Sequence, residues 1–218
     1  MIIVFANQKG GVGKSTHCAL FAHYLSEQNK EVHVVDMDFQ KTLDRKRMND
    51  LSLSQVRDKE ESAFDNPLSY SVESIPPESA AFVSYVEKAF GDKKAVYLFD
   101  TPGNLNNSNT VRLLGVADFI IVPFNYEETI LDSTAVFIQV VEKFRIEAKM
   151  MFLPTNVDAR VKFSIIEDIN KLLSSKGVVT PVSRQRADIK FYSTLSLTKT
   201  QRELVKPVYD FMYKQLYS

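Results

Sequence analysis

Short apolar runs alternate along this chain with longer stretches in which apolar positions recur every three or four residues. The runs at 2–6, 31–36, 70–75, 95–100, 119–123, 150–154 and 178–182 read as strands. Several are almost wholly apolar, Ile2-Ile3-Val4-Phe5 and Phe119-Ile120-Ile121-Val122 among them, as expected where both faces of a parallel sheet are covered. Helical spacing predicts helices over 14–28, 41–50, 79–90, 106–114, 129–145, 160–175 and 199–216. The alternation predicts an α/β fold: a doubly wound, mostly parallel sheet with helices on both faces. Ligands of such sheets sit beyond the carboxyl ends of the strands, so the residues just after each strand carry the functional interest. The stretch 50–77, rich in Ser, Asp and Glu and holding Pro76-Pro77, shows no second core. It reads as an irregular insertion or mobile surface segment of one domain spanning 1–218.

The composition narrows the possible functions. A chain of 218 residues buries about 70% of its unfolded surface, enough for one sizeable core. Lys plus Arg and Asp plus Glu number 27 each, so there is no basic coat, and contact with DNA requires a local patch or one assembled on oligomerisation. The lone cysteine, Cys18, excludes a disulfide framework and an intrachain cysteine cluster, in keeping with a reducing compartment. The opening apolar run is too short for a signal peptide or a membrane span, and no other stretch reaches that length, so a cytoplasmic location is expected. His17, His23 and His33 lack metal-ligand spacing and read as structural.

Residues 7–16, Asn-Gln-Lys-Gly-Gly-Val-Gly-Lys-Ser-Thr, follow the first predicted strand and open the first predicted helix. In that context a glycine-rich string is a phosphate cradle. Gly10, Gly11 and Gly13 let backbone N–H groups around Val12 converge on phosphate oxygens, and the helix N-terminus adds partial positive charge. Lys14 is placed to reach the β and γ phosphates, the Ser15 hydroxyl to ligate Mg²⁺, and Thr16 to reach the α phosphate. The nucleotide expected is ATP with Mg²⁺. The run Ala95-Val96-Tyr97-Leu98-Phe99-Asp100 is an apolar strand ending in an acid, and Asp100 reads as the Walker B aspartate that holds Mg²⁺ through water. A third strand end carries Asp36 and Asp38. Their side chains point the same way if the strand continues through both; the alternative is a pair of caps for the following helix.

The strict phosphate-loop pattern has glycine where Gln8 stands, and here Lys9 precedes the two glycines. The string closely resembles the variant loop of the ParA/MinD class of P-loop NTPases, and in particular that of ParA-type partition ATPases. Asp36-Met37-Asp38-Phe39-Gln40 resembles that family's DxDPQ segment with Phe39 for proline. Asp100-Thr101-Pro102-Gly103 resembles its DTPP switch with Gly103 for the second proline, and Ala117-Asp118-Phe119-Ile120-Ile121-Val122-Pro123 resembles a further family strand. The likeness runs from residue 2 to about 189 and is weakest across 51–79. It implies that Lys9 reaches the nucleotide of a second subunit in an ATP-sandwich dimer, a cation supplied in trans as an arginine finger is. An intrachain contact or a solvated side chain is the alternative for Lys9. It also implies that Asp38 positions the attacking water, that Asp36 lies near the outer coordination sphere of Mg²⁺, and that Asn156 reads adenine, where a turn-forming Asn is the alternative. Asp118 reads as a structural cap.

The function so implied is an ATP-hydrolysing, nucleotide-switched homodimer that binds DNA non-specifically and segregates a plasmid, chromosome or mobile element. A DNA-bound adaptor protein stimulates its hydrolysis, and the ATP form associates with the nucleoid. In the C-terminal segment Arg184, Arg186, Lys190, Lys199, Arg202, Lys206 and Lys214 outnumber Asp188, Glu203 and Asp210. The first five are the candidate DNA contacts, a solvated helix face being the alternative. No helix-turn-helix precedes the loop, so specific operator binding is not expected. Two other functions stay open. One is a MinD-like membrane-associated positioning ATPase, which needs an exposed amphipathic tail; Leu204, Val208, Phe211, Met212 and Leu216 fall at helical spacing, but a helix packed on the core shows the same pattern. The chain stops at Ser218 without a further tail, so membrane binding is not the expectation. The other is a P-loop metabolic ligase of the same superfamily, a class in which the acid pair and Gln40 are unusual.

Overall fold

A computed structural model of the chain describes residues 1–57, 69–104, 107–157, 162–183 and 187–218. Strands β1 (Ile2–Phe5), β2 (Val32–Asp36), β3 (Ser71–Ser74), β4 (Val96–Asp100), β5 (Phe119–Phe124), β6 (Lys149–Pro154) and β7 (Val178–Val179) form one sheet. Its order is β3-β2-β4-β1-β5-β6-β7, and every neighbouring pair is parallel. The helices are α1 (Lys14–Glu27), α2 (Thr42–Arg57), α3 (Phe82–Gly91), α4 (Ser108–Val116), α5 (Glu128–Lys143), α6 (Phe163–Ser174), the single turn α7 (Ala187–Lys190) and α8 (Lys199–Leu216). This is the P-loop NTPase α/β fold.

The most apolar strands lie in the middle of the sheet, where burial on both faces requires them: β1, β4 and β5 are buried throughout, β4 including its terminal Asp100. One face is covered by α3, α4, α5 and α6 through Phe82, Leu113, Phe137 and Leu173. The other is covered mainly by α1 and α8 through Leu20, Phe21, Val208, Tyr209 and Met212. The register sets Phe5 and Asp36 opposite Asp100, so β1, β2 and β4 end level with one another. Asp118 caps the start of β1 by accepting the Ile2 N–H at 2.7 Å.

Several elements differ from the sequence-based expectation, and four of the differences have a local cause. Helix α2 continues to Arg57, into the stretch expected to be irregular; Asp36 caps its start, Leu43 anchors it in the core, and Asp50 ties it further along by accepting the Thr194 N–H and hydroxyl. Strand β7 is two residues long instead of running to 182: Pro181 has no N–H to donate, although Thr180 and Ser183 still bond to the Phe152 and Pro154 carbonyls. Helix α4 starts at Ser108 because the Asn107 side chain caps it by accepting the Asn109 N–H. The short α7 was not expected, since one turn is too brief for periodicity to register. The predicted start of the sixth helix, near 160, lies outside the described residues.

Candidate active site

The phosphate loop leaves β1 and closes onto α1. Gly11 and Gly13 hold φ of 77° and 89°, a left-handed backbone that side chains disfavour, and between them the Val12 side chain is buried in the core. Gly13 caps α1 with no side-chain hydrogen bond, and the first turn of α1 holds no acid. The helix therefore offers its free N–H groups and its positive end to an anion. Gly10 and Gly11 are exposed, while Ser15 and Thr16 are half-buried in the first turn of α1.

Side chains elsewhere in the fold pin this loop. Asn7 is fully buried; its amide donates to the Pro123 carbonyl at 2.8 Å and to Thr134 Oγ1 at 3.0 Å, while its Oδ1 accepts the Lys9 N–H at 3.3 Å. Thr155, just after β6, has its hydroxyl 3.0 Å from the Val12 carbonyl and 3.1 Å from that of Phe124. Lys14 Nζ donates to the Lys9 carbonyl at 2.8 Å. The Lys9 side chain is exposed and, among the described residues, meets no partner.

The carboxylates converge on the same end of the sheet. Asp100 is fully buried with neither oxygen in a hydrogen bond of normal geometry. Burial pushes its carboxyl up to about 7; the Ser15 hydroxyl and Lys14 pull it down, while Asp36 and Asp38 push it further up. Burial likewise holds the Lys14 ammonium below its ordinary range, against the pull of Asp100 and Asp38. These causes tie Lys14, Ser15, Asp36, Asp38 and Asp100 into one electrostatic cluster.

Asp36 and Asp38 do not share an orientation, because the strand ends at Asp36. Asp36 turns inward and caps α2, accepting the N–H groups of Leu43 at 2.8 Å and Asp44 at 3.1 Å, while its other oxygen accepts that of Asp38 at 3.1 Å. Burial raises its carboxyl, and these three bonds work against that. Asp38 is half-buried and accepts the Gln40 N–H at 2.9 Å, which leaves Phe39 85% exposed. On the neighbouring switch segment Thr101 donates its hydroxyl to the Phe5 carbonyl at 2.9 Å. A Cβ on Gly103 would come within 3.4 Å of the Gly10 nitrogen, so this segment lies against the phosphate loop.

Asn156 follows Thr155 with φ of 50°, a left-handed turn that Asn tolerates well. The remaining candidates lie apart from the cluster. Lys190 ends α7 and Lys199 opens α8, both exposed. Arg202 is paired with Glu27 at 2.6 Å, Lys206 with Asp210 at 2.7 Å, and Lys199 stands 4.0 Å from Glu203. Arg184 and Arg186 lie outside the described residues. Of the α8 positions at helical spacing, Val208, Met212 and Leu216 are buried in the core and Leu204 packs against it. No helix among the described residues is long and apolar enough to cross a membrane.

Sequence reasoning gave no role to Asn7 or Thr155. A polar residue before the loop and another after a strand are visible in the chain, but their partners lie more than a hundred residues away.

Comparison with known proteins gives the family and the fold. Residues 3–196 match the family described as the CobQ/CobB/MinD/ParA nucleotide binding domain. No curated protein is significantly similar in sequence. Among solved structures the chain is similar to a putative plasmid partition protein of Borrelia burgdorferi bound to AMPPNP, at 19% identity over 98% of each chain with a TM-score of 0.72. The MinD cell division protein of Aquifex aeolicus is similar at 18% identity, over 100% of this chain and 97% of that one, with a TM-score of 0.70. A Cyanothece McdA–ATP complex is similar at 15% identity, over 99% of this chain and 95% of that one, with a TM-score of 0.68. At such identities the solved structures speak for the fold, and the family match, spanning most of the chain, speaks for descent. The chain belongs to the CobQ/CobB/MinD/ParA nucleotide-binding domain family and is an ATP-binding P-loop ATPase.

Proposed function

We propose that this ATPase is a nucleotide-switched partition protein: it dimerises around ATP, binds DNA non-specifically in that state, and segregates a plasmid, chromosome or mobile element. The observation that carries the reading is Lys9, exposed and without a side-chain partner among the described residues, beside a phosphate loop whose other lysine, Lys14, is drawn into the cluster of carboxylates. A cation with no task in its own subunit, fixed at the rim of a nucleotide site, suits a second copy's phosphates.

The roles follow from the chemistry of each group. Gly10 to Gly13 cradle the phosphates by backbone N–H, and Lys14 exchanges the Lys9 carbonyl for phosphate oxygen. The orphaned, buried oxygens of Asp100 beside Ser15 fit Mg²⁺, which Ser15 and Asp100 would hold with support from Asp36, opposite Asp100 in the β2–β4 ladder. Bound there, Mg²⁺ neutralises developing charge on the phosphoryl oxygens. Asp38, less buried than the other two acids, orients the attacking water, and Asn156 faces the base. A DNA-bound adaptor is the expected trigger of hydrolysis, and the ATP form the one that joins the nucleoid.

The test is co-sedimentation of Asp38→Ala protein with DNA, with ATP, with ADP and without nucleotide, at two salt concentrations. Salt-sensitive pelleting with ATP alone is expected. Pelleting that ignores the nucleotide sinks the switch. A protein that ignores DNA but follows liposomes with ATP belongs with membrane positioning, a reading opposed by the buried apolar face of α8.

A further inference from the structure

We propose that Asn7 is the positioning residue for Lys9, fixing the lysine's backbone so that its side chain is presented to a second copy of the chain. The proposal rests on the reading that Lys9 acts across a dimer.

Both ends of the Lys9 peptide are held. Its carbonyl accepts Lys14 Nζ at 2.8 Å, and its N–H donates to Asn7 Oδ1 at 3.3 Å. The two holds differ in permanence. Lys14 is the lysine that a nucleotide's phosphates claim, so its bond to the Lys9 carbonyl ends when the site fills. Asn7 touches no ligand position: it is fully buried, and both protons of its amide are spent on the Pro123 carbonyl and Thr134 Oγ1. Thr134 in turn donates to the Ile130 carbonyl at 2.8 Å, inside α5. The amide is thus locked to β5 and α5, and one orientation uses every hydrogen-bonding group it has. In the nucleotide-bound state, among the described residues, Asn7 is the hydrogen-bonding hold on Lys9 that remains.

The fixed point matters because the Lys9 stem is long and exposed. Four side-chain torsions already separate its ammonium from its backbone. A backbone free to rotate as well would spread the charge over many positions and weaken its stabilisation of a phosphoryl group in the partner. Asn7 therefore acts through Lys9 and in trans, whereas Lys14, Ser15 and Asp38 act on the nucleotide of their own subunit.

That division is testable by mixing variants before ATP is added. Asn7→Ala alone is expected to keep ATP binding within a few-fold while losing most of its turnover. When it is mixed in equal amounts with Asp38→Ala protein, each mixed dimer holds one site with both an intact Asp38 of its own and a well-placed Lys9 from the partner. Activity should return to about a quarter of the wild-type rate, the share of intact sites in a random mixture. If Asn7 merely shapes its own phosphate loop, each site of the mixed dimer keeps one defect and no activity returns; that overturns the proposal. Mixing Lys9→Ala with Asp38→Ala separates the two levels. Rescue there without rescue by Asn7→Ala refutes the positioning role alone, and failure of both refutes the trans action of Lys9 as well. Should Asn7→Ala not fold by circular dichroism, Thr134→Val, which leaves the Lys9 turn but removes one of its two anchors, takes its place under the same criteria with a smaller loss of turnover.

Discussion

At Asp100 two buried oxygens without hydrogen bonds sit across a strand pair from Asp36, and burial raises the carboxyl to about 7. An acid shifted in that direction destabilises the ligand-free fold as pH rises. Between the ordinary value of 3.8 and about 7 the folded chain keeps a proton that the unfolded chain has released, so stability falls with rising pH across that window and is flat above it. Asp100→Asn removes this dependence. Relative to wild type it should be little changed near pH 4 and gain stability up to pH 7, by at most about 4 kcal/mol. His17 and His23, buried and held down to about 4, act in the opposite sense, losing stability as pH falls from 6.5. They are present in both proteins and cancel in the difference. Urea unfolding of both proteins without nucleotide or metal, at several pH values, checks this; a gap that does not change with pH refutes the assignment. The same variant should lose ATP hydrolysis, the pattern of a site that trades stability for function. The strand that ends in Asp100 was legible as an apolar run closed by an acid. What the sequence withheld was the parting of Asp36 from Asp38, since that depends on where β2 stops.

Elements were legible where an apolar period was long, and less so where a single contact decides. Helix α8 was expected at 199–216 and spans those residues despite Pro207, because Val205, Val208, Met212 and Leu216 are buried on one side of it and a Thr198–Gln201 capping box starts it. The burial of such a face, worth roughly 1.5–3 kcal/mol per large side chain, outweighs one missing helical hydrogen bond. Helix α2 shows the converse: its polar surface gave little period, and the contacts that hold it come from other elements, Asp36 at its start and Thr194 at Asp50. Gly177 is a position of the same kind. Nothing in the sequence marks it, yet a Cβ there would collide with the Met150 carbonyl oxygen and lie 2.9 Å from the Met150 Cβ, at the turn where α6 returns to β7. Gly177→Ala should force β6 and that turn apart and cost about 1–3 kcal/mol. Gly115 in α4, where a Cβ meets nothing within 4 Å, is the control: Gly115→Ala should gain about 0.5–1 kcal/mol. Thermal unfolding of both distinguishes a packing glycine from a free one; equal shifts in one direction argue against the close approach.

On the scale of the whole molecule the proposed function requires a chain with 27 positive and 27 negative residues to grip DNA through a local surface. The excess of cations in the C-terminal segment was visible in the sequence, as was the i,i+4 spacing of Lys206 and Asp210, but the pairing of Arg202 was not, because Glu27 comes from α1. With Arg202 held by Glu27 and Lys206 by Asp210, fewer charges are free for phosphates than the count suggests. Lys190 has no such partner among the described residues. Each lysine that neutralises a phosphate releases counterions and steepens the fall of affinity with salt, by about 0.9 in the logarithmic slope for duplex DNA. For the ATP-loaded Asp38→Ala protein, Lys190→Ala should therefore lower that slope by about one per protomer and weaken binding alike on all sequences. Lys206→Ala, whose ammonium is already committed, should leave the slope almost unchanged. Titrations of a labelled random-sequence duplex at several salt concentrations measure both. A slope that moves with Lys206 and not with Lys190 shifts the DNA surface onto α8 and requires its ion pairs to open on binding. A slope indifferent to both removes this face of the molecule from contact with DNA.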